Sequence, residues 1–413
     1  MTLIKTSILT AISTVIKVIS AFVINKVISV YVGPSGLAVI GQLQNFISIV
    51  TTLSNGATVQ GIIKYTAEYQ TIEQKQKIFS TSIIISLVCS LIMSLFLFTF
   101  SEYLSELILM DDQYESIFIV FAFTIFLFAL NTILMSILNG QKEISKFILI
   151  NIISSMFSLF ITSFLIVKLS LIGALYALVV NQSVIFFVTL VFVIKSNWFK
   201  LEYFKHGIDK DSLSKLSKYS LMAITSALTI PISHFILRNY IAENLSWNDA
   251  GYWQGIWYIS TMYLMIVTTS LSVYYLPRLS EINDRQELKK EIISGYKIIL
   301  PIVIALAVSI YLFRELVVYI AFTDKFLPML ELFKWQLIGD VIKIASWLLG
   351  YIMVAKAMTK MFIYTEILFS VSFVLFSVYF IDIFGLVGAT YAFSLNYTFY
   401  LIFMIYIFRK EFR

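Results

Sequence analysis

Apolar residues run along this chain in long blocks that polar or charged residues interrupt at intervals. Twelve blocks are long enough to cross a bilayer as helices: roughly 6–31, 37–63, 78–101, 114–138, 147–167, 171–194, 218–241, 250–276, 294–313, 328–355, 361–381 and 385–408. A spanning helix needs about 20 consecutive, mainly apolar residues. No gap between blocks is large enough for a separate folded domain. The pattern predicts an all-α polytopic membrane protein with 12 transmembrane helices.

Two blocks echo each other. Residues 171–181 read LIGALYALVVN and residues 386–396 read LVGATYAFSLN. They share Leu171/Leu386, Gly173/Gly388, Ala174/Ala389, Tyr176/Tyr391, Ala177/Ala392 and Asn181/Asn396, an offset of 215. The same offset joins Gly36 to Gly251, at the starts of spans 2 and 8. Small, Tyr-bearing helices can resemble each other by chance, but one register at two distant places favours duplication. The expected organisation is a first lobe over 1–197 with spans 1–6, a cytoplasmic linker over 198–217, and a second lobe over 218–413 with spans 7–12. Six is even, so both lobes have one orientation and a pseudo-two-fold axis lies along the membrane normal, as in transporters that rock one half against the other.

Composition narrows the class. Of 413 residues 59% are hydrophobic and 13% charged, with a mean hydropathy of +0.89, too little charge to cover a soluble protein. The single Cys89 excludes an internal disulfide framework. His206 and His234 lie far apart, and no His/Cys cluster has metal-ligand spacing. The N-terminal apolar run continues into a full span instead of ending at a signal-peptide cleavage site. The net charge of +6 is no nucleic-acid signature here, because what matters is where the cations sit.

Of the 30 Lys and Arg, 22 fall at the termini and in alternate breaks; the other breaks hold Lys168, Arg238, Arg314 and Lys325. The excess of positive charge on the inner side puts the first set, and both termini, in the cytoplasm. Residues 101–116 carry five acids and no base, as suits an outer loop. The Lys-rich break at 198–217 reads as a solvated linker with a helix lying on the anionic leaflet.

Some ionisable residues remain inside spans. Lys17 is near the middle of span 1 and Lys26 is towards its outer end; Glu331, Lys334, Asp340 and Lys343 lie in span 10, and Glu366 in span 11. Each mid-span charge costs about 2.5–3.5 kcal/mol on insertion scales, so these groups face a wet cavity or one another. In span 10, Gln336, Gly339, Asp340, Lys343, Ser346, Trp347 and Gly350 recur at spacings of three and four, forming one polar, small or aromatic face. Asp340 and Lys343 can pair across i,i+3, either to ease insertion or to line a cavity. Lys17 is too central to snorkel easily. Lys26, nine residues on and close to the opposite face, either snorkels or needs an irregular helix to reach the same cavity. His234, after Pro231, reads as a hydrogen-bonded histidine beside a kink.

Lys17 and Lys343 are opposed centrally only by Asp340, so the cavity is expected to be net positive and to suit an anion such as a phosphate or pyrophosphate. Asp340, a mid-membrane carboxyl, is the candidate for ion coupling. Trp253, Gln254 and Trp257 in span 8 are the candidates for stacking and bonding sugar rings, and an outer interfacial belt is the competing reading of them. Lys64 and Arg278, at the cytoplasmic ends of spans 2 and 8, are the gate candidates.

The stretches SILTAISTVIKV (7–18), GPSGLAVIGQ (33–42), KYTAEY (64–69), GYWQGIWYIS (251–260), YYLPRLS (274–280) and WQLIGDVIKIASWLLGYIMVAKA (335–357) resemble the Wzx-type O-antigen and lipid-linked oligosaccharide flippases. These belong to the multidrug/oligosaccharidyl-lipid/polysaccharide exporter superfamily. The resemblance covers essentially the whole chain. It extends to Lys17, Lys26, Trp253, Gln254, Asp340 and Lys343 in the branch that carries the enterobacterial common antigen unit, and departs at His234, where an aromatic residue is expected. It implies a MATE-like fold of two pseudo-two-fold-related six-helix lobes in the bacterial inner membrane. It also implies translocation of undecaprenyl-pyrophosphate-linked O-antigen oligosaccharide to the periplasmic leaflet by alternating access, without enzymatic turnover. The cavity would be lined mainly by spans 1, 2, 7 and 8. Proton or sodium antiport would supply the coupling, with no organic cofactor. Implied partners are the lipid-linked oligosaccharide, membrane lipids and O-antigen assembly proteins such as a polymerase or chain-length regulator, with no nucleic acid. Peptidoglycan-precursor flippases of the superfamily carry fourteen spans against twelve here. A multidrug/cation antiporter of this fold would call for central acids in spans 1–6, which are absent from the sequence. A membrane-bound polymerase or acyltransferase would call for a sizeable outer loop or a His/Asp set, and a scaffold would need no buried lysines.

Overall fold

The structure, a computed structural model, describes residues 3–282 and 284–412. Among the described residues there is no strand, and the chain folds into fifteen α-helices. The first eight are α1 (Leu3–Tyr31), α2 (Gly33–Ser54), α3 (Val59–Glu68), α4 (Ile72–Thr99), α5 (Ser101–Leu109), α6 (Glu115–Gly140), α7 (Ile144–Ile194) and α8 (Lys210–Asn244). There follow α9 (Trp247–Ser270), α10 (Leu276–Glu281), α11 (Arg285–Leu312), α12 (Arg314–Ala321), α13 (Phe333–Ala355), α14 (Thr359–Phe384) and α15 (Val387–Phe412). A π-helical turn, Leu271–Tyr275, joins α9 to α10.

Ten of the described helices are long and apolar enough to cross a membrane. One of them, the 51-residue α7, leaves helical geometry at Ser170 (φ 50°, ψ −127°) and so holds predicted spans 5 and 6. Predicted span 8 falls on α9, which is not among the ten because Asn248, Asp249, Gln254 and several Ser, Thr, Trp and Tyr dilute its hydropathy. Predicted span 2 (37–63) is the exception, broken between α2 and α3 by positive φ at Gly56 (64°) and Ala57 (54°); the other blocks fall on helical segments, and the chain is an all-α polytopic membrane protein.

The chain forms two compact units, one of Met1–Val32 and Val39–Pro231, the other of Gly33–Ala38 and Ile232–Arg413. In the first, α1 and α6 pack on α7, and α3 and α4 pack on α6. The break at 198–217 is exposed along much of its length, with Lys200, Lys205 and Lys210 in solvent, while its Trp198, Tyr203 and Phe204 pack with Ile62, Phe79, Ile133 and Leu216 and so gain from burial. Thr81 Oγ1 accepts from Asp209 N–H at 3.0 Å, and Asp209 caps α8 through Ser212 N–H and hydroxyl, both at 2.8 Å, which holds its carboxyl below the usual value. In the second unit α15 packs on α13 and α14, and α11 and α10 pack on α13.

The helices from α4 to α7 repeat in those from α11 to α15. Helices α4 and α11 each have 28 residues, are capped by Thr71 and Asp284, and give way to a short helix after Phe100 and Phe313. Helices α6 and α13 end at Gly140 and Ala355, followed by positive φ at Lys142 (59°) and Ala357 (52°), and α7 and α14 start at Ile144 and Thr359. Each of these last three pairs is 215 apart. The bend at Ser170 likewise matches Gly385 (φ 65°, ψ −150°). At Gly173 a Cβ would lie 2.1 Å from Leu165 O, and at Gly388 2.1 Å from Phe380 O, again in register. Only glycine lets the second limb of each hairpin rest its backbone on the first.

Ser170 holds a conformation that its counterpart reaches with glycine. Such backbone strain costs on the order of 1–3 kcal/mol in a residue with a Cβ. Ser170→Gly is therefore expected to raise the melting temperature of the detergent-solubilised protein by a few degrees. An unchanged or lower midpoint would show that the turn carries no such strain.

Candidate functional site

The polar face predicted on α13 forms the centre of a cluster in the second unit. Asp340 is fully buried. Its Oδ2 accepts from Ser260 Oγ at 2.6 Å and from Tyr263 OH at 2.9 Å, both on α9, and Gln336 Nε2 donates to Ser260 Oγ at 3.3 Å. Hydroxyl groups thus replace the water that burial removes from the carboxylate. Lys343, half-buried one turn further on, does not close the direct pair that its i,i+3 spacing allows. Its Nζ lies 4.7 Å from the ring centre of Trp347, 5.4 Å from Trp257, 5.7 Å from Tyr397 and 6.0 Å from Phe393. The negative faces of these rings attract the ammonium and offset part of what partial burial costs it.

The rings form a wall. His234 lies 4.4 Å from Trp257 and 5.2 Å from Trp253, and Trp257 lies 5.0 Å from Phe393, centre to centre. Trp253 is only 1% exposed, which corrects the belt reading: an interfacial Trp keeps one edge wet. His234 occupies an aromatic place in this wall instead of acting as a bonded histidine beside the Pro231 kink. Gln254, also buried, accepts from Arg238 Nη2, and the Arg238 guanidinium lies 5.6 Å from the Trp253 ring centre.

Arg238 is the residue that sequence reasoning misplaced. Counted with the outer-side cations, it is 0% exposed within α8. It sits at the edge of an apolar block, where charge counting assigns it to a loop. The available signal was Pro231, His234 and Arg238 at spacings of three and four, which share one face of α8.

Three polar atoms here have no hydrogen-bond partner among the described residues: Trp257 Nε1, Asp340 Oδ1 and Gln336 Oε1. The cluster therefore presents an ammonium and an indole N–H as donors and a carboxylate and an amide oxygen as acceptors. It can hold an anion by charge and hydrogen bond, and a proton at Asp340. The described residues contain no group of three or more His, Cys, Asp or Glu placed to hold a metal.

The remaining candidates are spread more widely. Lys17 is exposed and Lys26 half-buried on α1, flanking a buried Asn25 whose amide is unsatisfied among the described residues. Lys64, near the end of α3, lies 5.3 Å from the ring centre of Tyr65. Arg278, on α10, pairs with Glu287 at 2.7 Å and Glu291 at 3.6 Å, and the Glu287 bond holds its pKa above the usual value. A gate that used Arg278 would have to break those pairs.

Among known proteins the chain is similar to the lipid III flippase of Escherichia coli (strain K12), at 28% identity over 403 residues, 97% of this chain and 96% of that one. Its fold is that of a multidrug resistance MATE family transporter of the MOP superfamily in an inward-facing conformation (TM-score 0.79, 15% identity, 95% of this chain and 94% of that one). The fold also matches that of the lipid II flippase MurJ in an inward closed conformation (TM-score 0.73, 16% identity, 99% of this chain and 89% of that one). Residues 3–283 match the polysaccharide biosynthesis protein family, and the chain belongs to that family.

Proposed function

We propose that this chain is a flippase for undecaprenyl-pyrophosphate-linked oligosaccharide, and that the Lys343 cluster receives the pyrophosphate. The protein is a transporter, not an enzyme. It works in the bacterial inner membrane with both termini cytoplasmic, and carries an O-antigen unit from the cytoplasmic to the periplasmic leaflet by alternating access of its lobes, 1–197 and 218–413. The observation that supports this most directly is a membrane-embedded ammonium held over ring faces beside an unsatisfied indole N–H. Both favour an anion and disfavour the cationic ligand of a multidrug antiporter. A lysine is a compact, strongly hydrated charge that binds a phosphate without the two-point grip of arginine, which suits a site that must also release its cargo. Asp340 couples transport to an ion by gaining and losing a proton beside that ammonium.

The test is reconstitution of the purified protein in liposomes containing undecaprenyl-pyrophosphate-linked oligosaccharide, with sugar exposure read by an impermeant lectin. Expected is transfer of lipid-linked sugar, faster under a proton gradient, with the gradient effect lost in Asp340→Asn. Absence of lipid transfer together with efflux of a lipophilic cation would overturn the assignment; an unchanged gradient effect in the variant would remove Asp340 from coupling.

A further inference from the structure

The internal register turns the second unit's cluster into a map of the first. Subtracting 215 takes Lys343 and Tyr397 of that cluster to Phe128 and Gln182, and Ser346 on the polar face of α13 and Glu366 on α14 to Asn131 and Asn151. The register holds through these helices, because the ends of α6 and α13, the starts of α7 and α14 and the bends at Ser170 and Gly385 all keep it. All four mapped residues line one cavity of about 340 Å3 in the first unit, between α3, α6 and the two limbs of α7.

Its chemistry differs from that of its counterpart. None of the lining residues is charged, and polar ones such as Asn139, Asn151, Ser154 and Gln182 stand among Phe128, Phe147 and aliphatic groups. Asn131 Nδ2 donates to Gln182 Oε1 at 3.1 Å, and Thr189 Oγ1 donates to Asn131 Oδ1 at 2.6 Å, so Asn131 is fixed and orients Gln182. Asn151 Nδ2 donates to Phe147 O at 2.8 Å. Gln182 Nε2 and Asn151 Oδ1 take no part in these bonds and remain as one donor and one acceptor. Amides with both capacities, flanked by aromatic rings and without charge, match the alternating donor and acceptor hydroxyls and apolar C–H faces of an uncharged sugar. The volume lies at the small end of ligand pockets, about 300–1,000 Å3, and suits one or two rings instead of a whole oligosaccharide.

We propose that this cavity is a carbohydrate subsite that takes uncharged sugar hydroxyls. The inference rests on the flippase reading and names what the first half contributes to it.

The test compares two probes on the purified full-length protein in nanodiscs: undecaprenyl pyrophosphate alone, and the same lipid carrying one N-acetylhexosamine. Wild type is expected to bind the glycosylated probe more tightly, by about tenfold for one to two net hydrogen bonds. Ser154→Phe fills the cavity with the residue that the second half carries at the same place, Phe369. Asn151→Leu removes the free acceptor at nearly constant volume. Each variant should lose the tenfold preference while binding the bare lipid as wild type does, at an unchanged melting temperature. Lys343→Ala should instead weaken both probes in parallel. Wild-type protein that binds both probes equally, or cavity variants that keep the preference, would overturn the sugar subsite and leave the flippase reading standing. Binding of neither probe by wild type would overturn both.

Discussion

Lys343→Ala is expected to reduce lipid-linked oligosaccharide transfer by at least about 30-fold while the protein still inserts and melts normally. Truncating one member of a desolvated charge pair costs roughly 2–5 kcal/mol, which sets that lower bound. Normal folding is expected because, among the described residues, the ammonium makes no hydrogen bond or ion pair and touches ring faces at 4.7–6.0 Å. Four rings that lose a cation still pack on one another. Lys343→Arg should retain part of the activity, since charge is kept, but turn over more slowly because a planar fork grips phosphate at two points. Transfer at the wild-type rate by Lys343→Ala, at equal protein level, would mean that the cluster serves insertion and not cargo.

The second large effect is structural. Gly251→Ala is expected to lower the unfolding midpoint of the protein by several degrees or more. A Cβ there would lie 1.9 Å from Pro34 O, 2.3 Å from Pro34 C and 2.8 Å from Pro34 Cα. Those atoms are backbone at the first turn of α2, so no side chain can swing away, and the two helices must separate. Overpacking usually costs about 1–3 kcal/mol, and a clash of backbone with backbone belongs at or beyond the upper end. Thermal unfolding read by intrinsic tryptophan fluorescence checks this, since Trp253 and Trp257 lie on the same helix. A midpoint within a degree of wild type would show that the approach relaxes freely.

Gly251 shows what the sequence could and could not convey. Its pairing with Gly36 at the offset of 215 was visible, and so was the small-residue character of both helix starts. That Pro34 rather than Gly36 touches it was not, because register within one chain says nothing about crossing points. Span 10 followed the same rule. Periodicity placed Asp340, Lys343 and Trp347 on one face, and composition marked span 8 as aromatic. The union of the two, with Trp257 over Lys343 and Ser260 and Tyr263 on Asp340, depends on which helices pack together, and a hydrophobic period is silent on that. Arg238 failed for another reason: counting charges along the chain treats the edge of an apolar block as a loop, whereas a guanidinium there can turn inwards to an amide and a ring. The neutral cavity of the first unit gave no signal because Asn, Gln and Ser scattered over α6 and α7 look like ordinary polar dilution until the helices are assembled.

The tight hairpins at Gly173 and Gly388 have a consequence for the order in which the chain is assembled. Their closest contacts join residues only eight apart, so each hairpin can close as soon as its second limb has entered the bilayer during synthesis. The N-terminal helices are in the opposite position. Helix α1 rests on α7, more than a hundred residues downstream, and the turn at Gly33–Ala38 belongs with a unit whose other residues begin at Ile232. Helix α1 therefore waits in the membrane until α7 has been made, and the first turn of α2 waits longer still, for helices made after the midpoint of translation. Neither unit is finished before the other begins.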